Sequence, residues 1–540
     1  VLALAGFVYL LGLYLPDLMY GDAPQDAVMA LRMYRDGDWT HLLKNGAPYL
    51  DKPHLLFWSA MGGYALLGEH DWAYRLPSVL VTALGAWSTF GLGRRLYGAH
   101  AGRIAAVIFV ASHATILGNH DVRMDALLTG FVAFGLFQGV EWLETGRARA
   151  AILCGLGLGL AFDSKGLVAL AIAGPPLALH LWARGAWARI ASPAFLAAVA
   201  AFALALAPVL YAYHAQFGGE GIRFILLGQS VQRFTGGRGE VSAGDRLFFF
   251  HSLLWAFLPW SLLLYAAWLD RLRRLWRAAR DGGLRALRAE EHVTLLGPIA
   301  LLAALGFSRF KLPHYLNAFF PLLAVLVAGW LAGLARDGRT RWLSGLARAQ
   351  WVAIGAVLAV ALALNLWAFP IEEGWVVAAA LPAAAALAWS LSLREPLQRI
   401  WVPSAFAILL GHALLSANYY PALSRFQPGS EAAARARALD VDWGELYFLD
   451  AIYQPFQLYT GTLVRKVDLD HVRARREEGR RVFLMVGERG RREVEAAGLP
   501  LQELLRAPDC RITVVSRKLL DPRTRPTACG NAYLVAIDPR

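Results

Sequence analysis

Long apolar runs separated by short polar stretches fill the first 420 positions of the chain. A helix that crosses a bilayer needs about 20 mostly apolar residues. Runs of that kind predict helices near 2–19, 76–96, 101–118, 124–143, 148–163, 166–183, 190–212, 247–268, 292–307, 314–335, 350–369, 373–393 and 400–419, about thirteen in all. His54–Gly68 is apolar but short, and reads as an interfacial or re-entrant helix. The first run starts at Val1 and lacks a small-residue cleavage pattern, so it is expected to stay as an anchor, with a short piece of chain before it. Beyond Tyr420 the pattern changes. Short apolar runs at Leu446–Leu449, Val482–Val486, Ile512–Val515 and Ala532–Ile537 alternate with helix-like stretches at 431–439, 471–479 and 491–497. That alternation predicts a small α/β domain over 421–540, beside a membrane domain over 1–420.

Composition agrees with a polytopic α-helical membrane protein and adds a puzzle. Of 540 residues, 57% are hydrophobic and only 17% charged, yet the net charge is +13. Nucleic-acid binding is one use of such charge, but its placement argues against that partner. Arginines concentrate in one alternating set of short loops: Arg94, Arg95 and Arg103; Arg147 and Arg149; Arg184 and Arg189; the run from Arg271 to Arg288; Arg336 to Arg348; Arg394 and Arg399. Positive charge marks cytoplasmic loops, so the opposite loops and the C-terminal domain are expected outside the cytoplasm. Of the three cysteines, Cys154 lies inside a predicted helix, while Cys510 and Cys529 share the external domain. There they form either a disulfide or two thiols.

Charged residues are scarce at the predicted helix centres, unlike in pumps and transporters. The polar chemistry gathers in the external loops instead. The first opens at Asp22, with Asp26 one turn later, and Asp22 reads either as a helix cap or as a functional carboxylate. Next comes Tyr49-Leu50-Asp51-Lys52-Pro53-His54, whose lysine either snorkels to the interface or meets a lipid phosphate. Arg123-Met124-Asp125 starts the next long helix, again with a capping reading beside a functional one. Lys165, Arg233 and Lys311 are cations that stay outside against the charge bias, which marks them as candidates for anions.

These motifs, in this order, resemble the bacterial 4-amino-4-deoxy-L-arabinose lipid A transferases. Those enzymes belong to the membrane glycosyltransferases with the GT-C fold, related to the protein O-mannosyltransferases, that take sugars from polyprenyl phosphates. The resemblance is carried by Asp22 with Ala27, Tyr49 to Pro53, Arg123 to Thr129, Lys165-Gly166, and Phe307-Ser308 with Lys311 to Tyr315 and Pro321. The chain departs from the family at Ala23, where an acid is common, at Asp26, where a tyrosine is common, and at Asp51 and His54, where glutamate and proline are usual.

The resemblance implies a long first periplasmic loop, a periplasmic C-terminal domain and a site at the periplasmic face of the bacterial inner membrane. It implies an undecaprenyl-phosphate-linked aminoarabinose donor and a lipid A phosphate acceptor, and through them resistance to polymyxin and cationic peptides. Asp22 and Asp125 are then expected as catalytic carboxylates, and Lys52, Arg233, Lys165 and Lys311 at the donor phosphate. Asp26, Asp51, Arg123 and Tyr315 are expected to bind substrate. No cofactor is required; Asp22, Asp51, His54 and Asp125 leave a divalent metal open if they converge. Two other readings stand: the same fold acting on protein hydroxyls or on core or O-antigen sugars, and a lipid flippase.

Overall fold

A computed structural model describes residues 1–235, 241–242 and 244–539. Each predicted apolar run overlaps a helix. Among the described residues six helices are long and apolar enough to cross a membrane alone, and a seventh span forms if one bent pair counts as one. Five further apolar helices are shorter.

The site depends on the first third of the chain. Helix α1 (Leu2–Tyr14) leads through a short strap into α2 (Asp22–Asp36). A two-stranded hairpin follows, β1 (Leu43–Lys44) with β2 (Ala47–Pro48). Then come the short apolar α3 (Leu55–Leu67) and the long α4 (Asp71–Tyr97). The predicted helix at 101–118 is broken into α5 (Ala99–Val110) and α6 (His113–His120), which meet at 49°. Helices α7 (Met124–Thr145), α8 (Ala148–Lys165) and α9 (Val168–Arg184) complete this part.

Glycines set how closely these helices approach. A side chain at Gly155 of α8 would collide with the Ala198 carbonyl, and one at Gly159 with Ala205 and Phe202, on the helix Pro193–Arg223. Gly157, on the other side of α8, leaves room for Phe134 and Gly135 of α7. Small residues at four-residue spacing let membrane helices touch along their backbones. Because α7 and α8 run antiparallel in close contact, the start of α7 and the end of α8 lie together, and with them Asp125 and Lys165.

Three expectations need correction. The external loop predicted over 213–246 is helical up to Thr235, about two thirds of its length, continuing the helix that starts at Pro193 through a kink at Gly218. The helix predicted at 247–268 is two helices, Phe248–Ala256 and Ser261–Ala289, split around Pro259. Past the membrane helices, Ile512–Val515 is not a strand. It sits in a turn beside the Cys510–Cys529 disulfide, with Ile512 buried against Leu519 and Tyr420.

The C-terminal unit holds a five-stranded mixed sheet of order β4-β3-β5-β7-β6. Its strands are β3 (Leu446–Phe448), β4 (Arg465–Lys466), β5 (Val482–Gly487), β6 (Leu501–Asp509) and β7 (Gly530–Ile537). β3 is parallel to β4 and β5, and β7 is antiparallel to β5 and β6. The fully buried β5 shows in the sequence as an unbroken apolar run. β6 is an edge strand, half exposed and rich in polar residues, and so carries no such signal.

Replacing Gly155 by leucine is expected to overpack the α8 interface and destabilise the protein by about 1–3 kcal/mol. Thermal unfolding of the detergent-solubilised chain measures this, and the same change at Gly174, which has open space around it, should leave unfolding nearly unchanged.

Candidate functional site: a polar chamber above an apolar groove

Asp22 is the first residue of α2, and Gly21, not Asp22, is the cap. The cap of α7 is likewise Arg123, with Asp125 inside the first turn. Neither carboxylate is the capping residue of its helix. Both are turned toward cations instead, so the capping reading fails for both.

Asp22 and Asp26, one turn apart, reach the same lysine. Lys52 Nζ lies 2.9 and 3.0 Å from the two oxygens of Asp26 and 3.6 Å from Asp22 Oδ2. Asp26 is completely buried, and this pushes its carboxyl up to about 6 despite the lysine beside it. Partial burial also works to raise Asp22, but Lys52 and Arg123 outweigh it and hold Asp22 below the usual carboxylate range. Burial works against the charge on Lys52, yet Asp26 and Asp22 raise it above the usual lysine value and keep it cationic. Arg123 bridges the two loops, 2.7 Å from Asp121 and 3.6 Å from Asp22.

The second cluster forms where α7 begins and α8 ends. Lys165 Nζ donates to Asp125 Oδ1 at 2.5 Å, and both residues are buried. The ammonium also stands 4.2 Å from the centre of the Tyr315 ring, a cation–π contact. His314 Nε2 is 3.8 Å from the other Asp125 oxygen.

The loop that carries Lys52 is braced from several sides. Tyr213 donates to the Leu50 carbonyl at 3.0 Å, Gln229 donates to the Asp51 carbonyl, and the Asp163 carboxylate faces the backbone amides of His54 and Leu55 at the start of α3. Gln216 exchanges two hydrogen bonds with Leu42, just before the hairpin.

Asp22, Tyr49, Asp51, Lys52, Arg123, Asp125, Lys165 and Tyr315 line one polar chamber of about 380 Å³. An apolar groove of about 410 Å³ adjoins it, walled by Leu128, Ile172, Phe249 and Leu301 among others. Asp125, Lys165, Phe310 and Tyr315 border both. The combined space is amphipathic, with charges at one end and hydrocarbon at the other.

Two expected site residues are not at the chamber wall. Asp26 lies behind Lys52 and touches that lysine rather than the chamber, because its helix turns it inward. Lys311 is buried and donates to the Ser242 carbonyl at 2.9 Å, away from the chamber. Arg233 sits in the helix Gln229–Thr235, and its side chain lies outside the described residues. No group of three or more His, Cys, Asp or Glu is placed to hold a metal ion among the described residues. His54, one of the expected ligands, is turned to the Thr40 carbonyl at 3.0 Å.

Lys44, Gln25, Gln229 and His314 line the chamber without having been singled out. His314 stood inside a quoted motif, and Asp163 was visible as an acid within an apolar helix, which is itself a functional signal. Nothing in the local sequence marks Lys44, Gln25 or Gln229.

Removing one partner of a buried ion pair strands the other, at a cost of about 3–5 kcal/mol. Asp125→Leu and Lys165→Met are therefore each expected to lower thermal stability markedly. The double variant should unfold closer to wild type than either single variant, as differential scanning fluorimetry can read.

Residues 51–212 match the family model described as dolichyl-phosphate-mannose-protein mannosyltransferase. The chain is 30% identical over 423 residues to the undecaprenyl phosphate-alpha-4-amino-4-deoxy-L-arabinose arabinosyl transferase of Pseudomonas aeruginosa, covering 70% of this chain and 74% of that one. The enzyme of that name from Edwardsiella ictaluri is 30% identical over 421 residues, covering 74% and 72%. The crystal structure of ArnT from Cupriavidus metallidurans bound to undecaprenyl phosphate superposes with a TM-score of 0.75 at 19% identity, over 99% of this chain and 97% of that one. Its fold is thus shared along nearly the whole length. The agreement over most of both sequences places this multi-pass bacterial membrane protein in the family of undecaprenyl phosphate-alpha-4-amino-4-deoxy-L-arabinose arabinosyl transferases.

Proposed function

We propose that the protein transfers 4-amino-4-deoxy-L-arabinose from undecaprenyl phosphate to a phosphate of lipid A, at the periplasmic face of the bacterial inner membrane. One observation carries the reading: a charged chamber adjoins an apolar groove, and Lys165 borders both. A sugar on a prenyl phosphate has the same division into polar head and hydrocarbon tail. The arginine-rich short loops support the orientation, and the Cys510–Cys529 bridge supports an oxidising compartment for the C-terminal unit. A domain boundary near residue 420 fits the change in sequence pattern, although the last membrane helix continues to Ser424.

The reaction breaks the bond between the anomeric carbon and the prenyl phosphate oxygen and forms one to an acceptor phosphate oxygen. Positive charge grows on the sugar ring while negative charge returns to the leaving phosphate. Lys52, Lys165 and Arg123 supply fixed cations where that negative charge develops. Asp22, held ionised by its neighbours, stands ready to stabilise the ring or orient the sugar amine. A lipid A phosphate is already ionised, so attack needs no strong base. Asp125 serves the site by holding Lys165. Asp26 acts through Lys52, which it holds in place. Direct displacement inverts the anomeric carbon.

Asp22→Asn and Lys52→Ala are each expected to lower turnover by about 10²–10³-fold, in line with loss of one preorganised electrostatic group. Mass spectrometry of lipid A from cells with and without the protein identifies the acceptor. Addition of one aminopentose unit fits the proposal; unmodified lipid A together with newly glycosylated protein would transfer the reading to protein hydroxyls.

Burial holds the Asp26 carboxyl up at about 6, so the charge pairing with Lys52 is lost progressively as pH falls through that value. Turnover is therefore expected to fall as pH drops through 6. Asp26→Asn should be slower at neutral pH and lose that part of the pH dependence, while any limb due to the acceptor phosphate persists in both proteins.

A further inference from the structure

The strap at residues 15–21 joins α1 to α2 and delivers Asp22 to the chamber. Its hydrogen bonds come largely from the far end of the sequence. Ser430 N–H donates to Asp17 Oδ2 at 3.1 Å. The Gln427 side-chain amide grips the backbone twice: Nε2 donates to the Leu18 carbonyl at 3.0 Å, and Oε1 accepts from Tyr20 N–H at 2.6 Å. The Tyr459 hydroxyl accepts from Leu18 N–H at 2.7 Å and donates to Asp71 Oδ2 at 2.9 Å. Tyr20 in turn donates its hydroxyl proton to the Ile452 carbonyl at 3.1 Å.

From below, the wholly buried Arg75 completes the grip. It donates to the carbonyls of Gly12 at 2.9 Å and Pro16 at 2.6 Å, and pairs with the same Asp71 that accepts the Tyr459 hydrogen bond. One residue alone separates the gripped Tyr20 from Asp22. It is Gly21, with φ 150° and ψ −143°, a conformation that only glycine adopts without strain. A one-residue link of this kind ties the position of Asp22 to that of Tyr20.

We propose that the C-terminal unit is a positioning element of the transfer site, acting through Gln427 and Tyr459 on the Asp17–Tyr20 strap to set where Asp22 stands. This rests on the assignment of Asp22 to the transfer chemistry. Neither residue lines the chamber, so their effect is on geometry and not on contact with substrate. Displacement of a reacting group by about 1 Å costs on the order of 10²-fold in rate.

The test uses the full chain in lipid nanodiscs, with undecaprenyl-phosphate aminoarabinose as donor and lipid A as acceptor. Gln427→Ala and Tyr459→Phe are each expected to lower kcat by about tenfold or more, with KM for the donor within about threefold of wild type. Gln427→Glu keeps the acceptor for Tyr20 but loses the donor to Leu18, and should fall between wild type and Gln427→Ala. Hydrogen exchange, read by mass spectrometry, should speed up over residues 17–22 in the alanine and phenylalanine variants and stay unchanged over β5 and β7.

Faster exchange over the strap with kcat within twofold of wild type would overturn the proposal. So would loss of protection throughout β5 and β7, because the kcat loss would then reflect a loosened unit. Turnover by wild type tests the assigned reaction, whereas the ratio of variant to wild type tests the strap, so the two failures are told apart.

Discussion

An ammonium group buried among membrane helices is costly unless a carboxylate meets it at hydrogen-bond distance. Lys165 and Asp125 satisfy that condition, and much of the structure exists to let them do so. Their helices must run antiparallel and nearly touch, which is why α8 carries glycines on both of its packed faces. The same constraint fixes the chamber floor. Once Lys165 is held at the end of α8 and stacked over Tyr315, the boundary between charged chamber and apolar groove is set.

The second lysine obeys the same rule with a different geometry. Lys52 arrives on a loop, so it is held by two carboxylates of a single helix and by braces on the backbone around it. Of those carboxylates, Asp26 is sealed behind the lysine and Asp22 is left half exposed to the chamber. The two aspartates thus differ in setting: one is buried against the cation, the other faces the chamber. The C-terminal unit adds a third layer of support, gripping the strap that leads into Asp22.

Much of this was legible in the sequence where the signal is local. Apolar runs marked the helices, the arginine bias marked the loops, and Asp22, Lys52, Asp125 and Lys165 were picked out as charges at the membrane surface. The deeper relations were not legible, for physical reasons. Asp26 was expected to bind substrate, one turn from Asp22 on the same face of α2; only packing shows that it is buried behind Lys52. Lys311 looked like another anion site, but its ammonium donates to the Ser242 carbonyl and does not line the chamber. The external loop at 213–246 hid a helix because its polar half continues an apolar one. The grip on the strap joins Leu18 to Gln427 and Tyr459, partners more than 400 positions apart, and no periodicity or motif records such a meeting.

The proposed transfer requires the chamber and groove to serve as one site for a lipid phosphate. Binding of undecaprenyl phosphate and of a two-isoprene prenyl phosphate to Ala171→Trp tests this most directly, since Ala171 lines the groove and not the chamber. Tryptophan there should weaken binding of the long lipid about tenfold or more and leave the short one nearly unchanged. Equal affinity of wild type and Ala171→Trp for the long lipid would contradict the account.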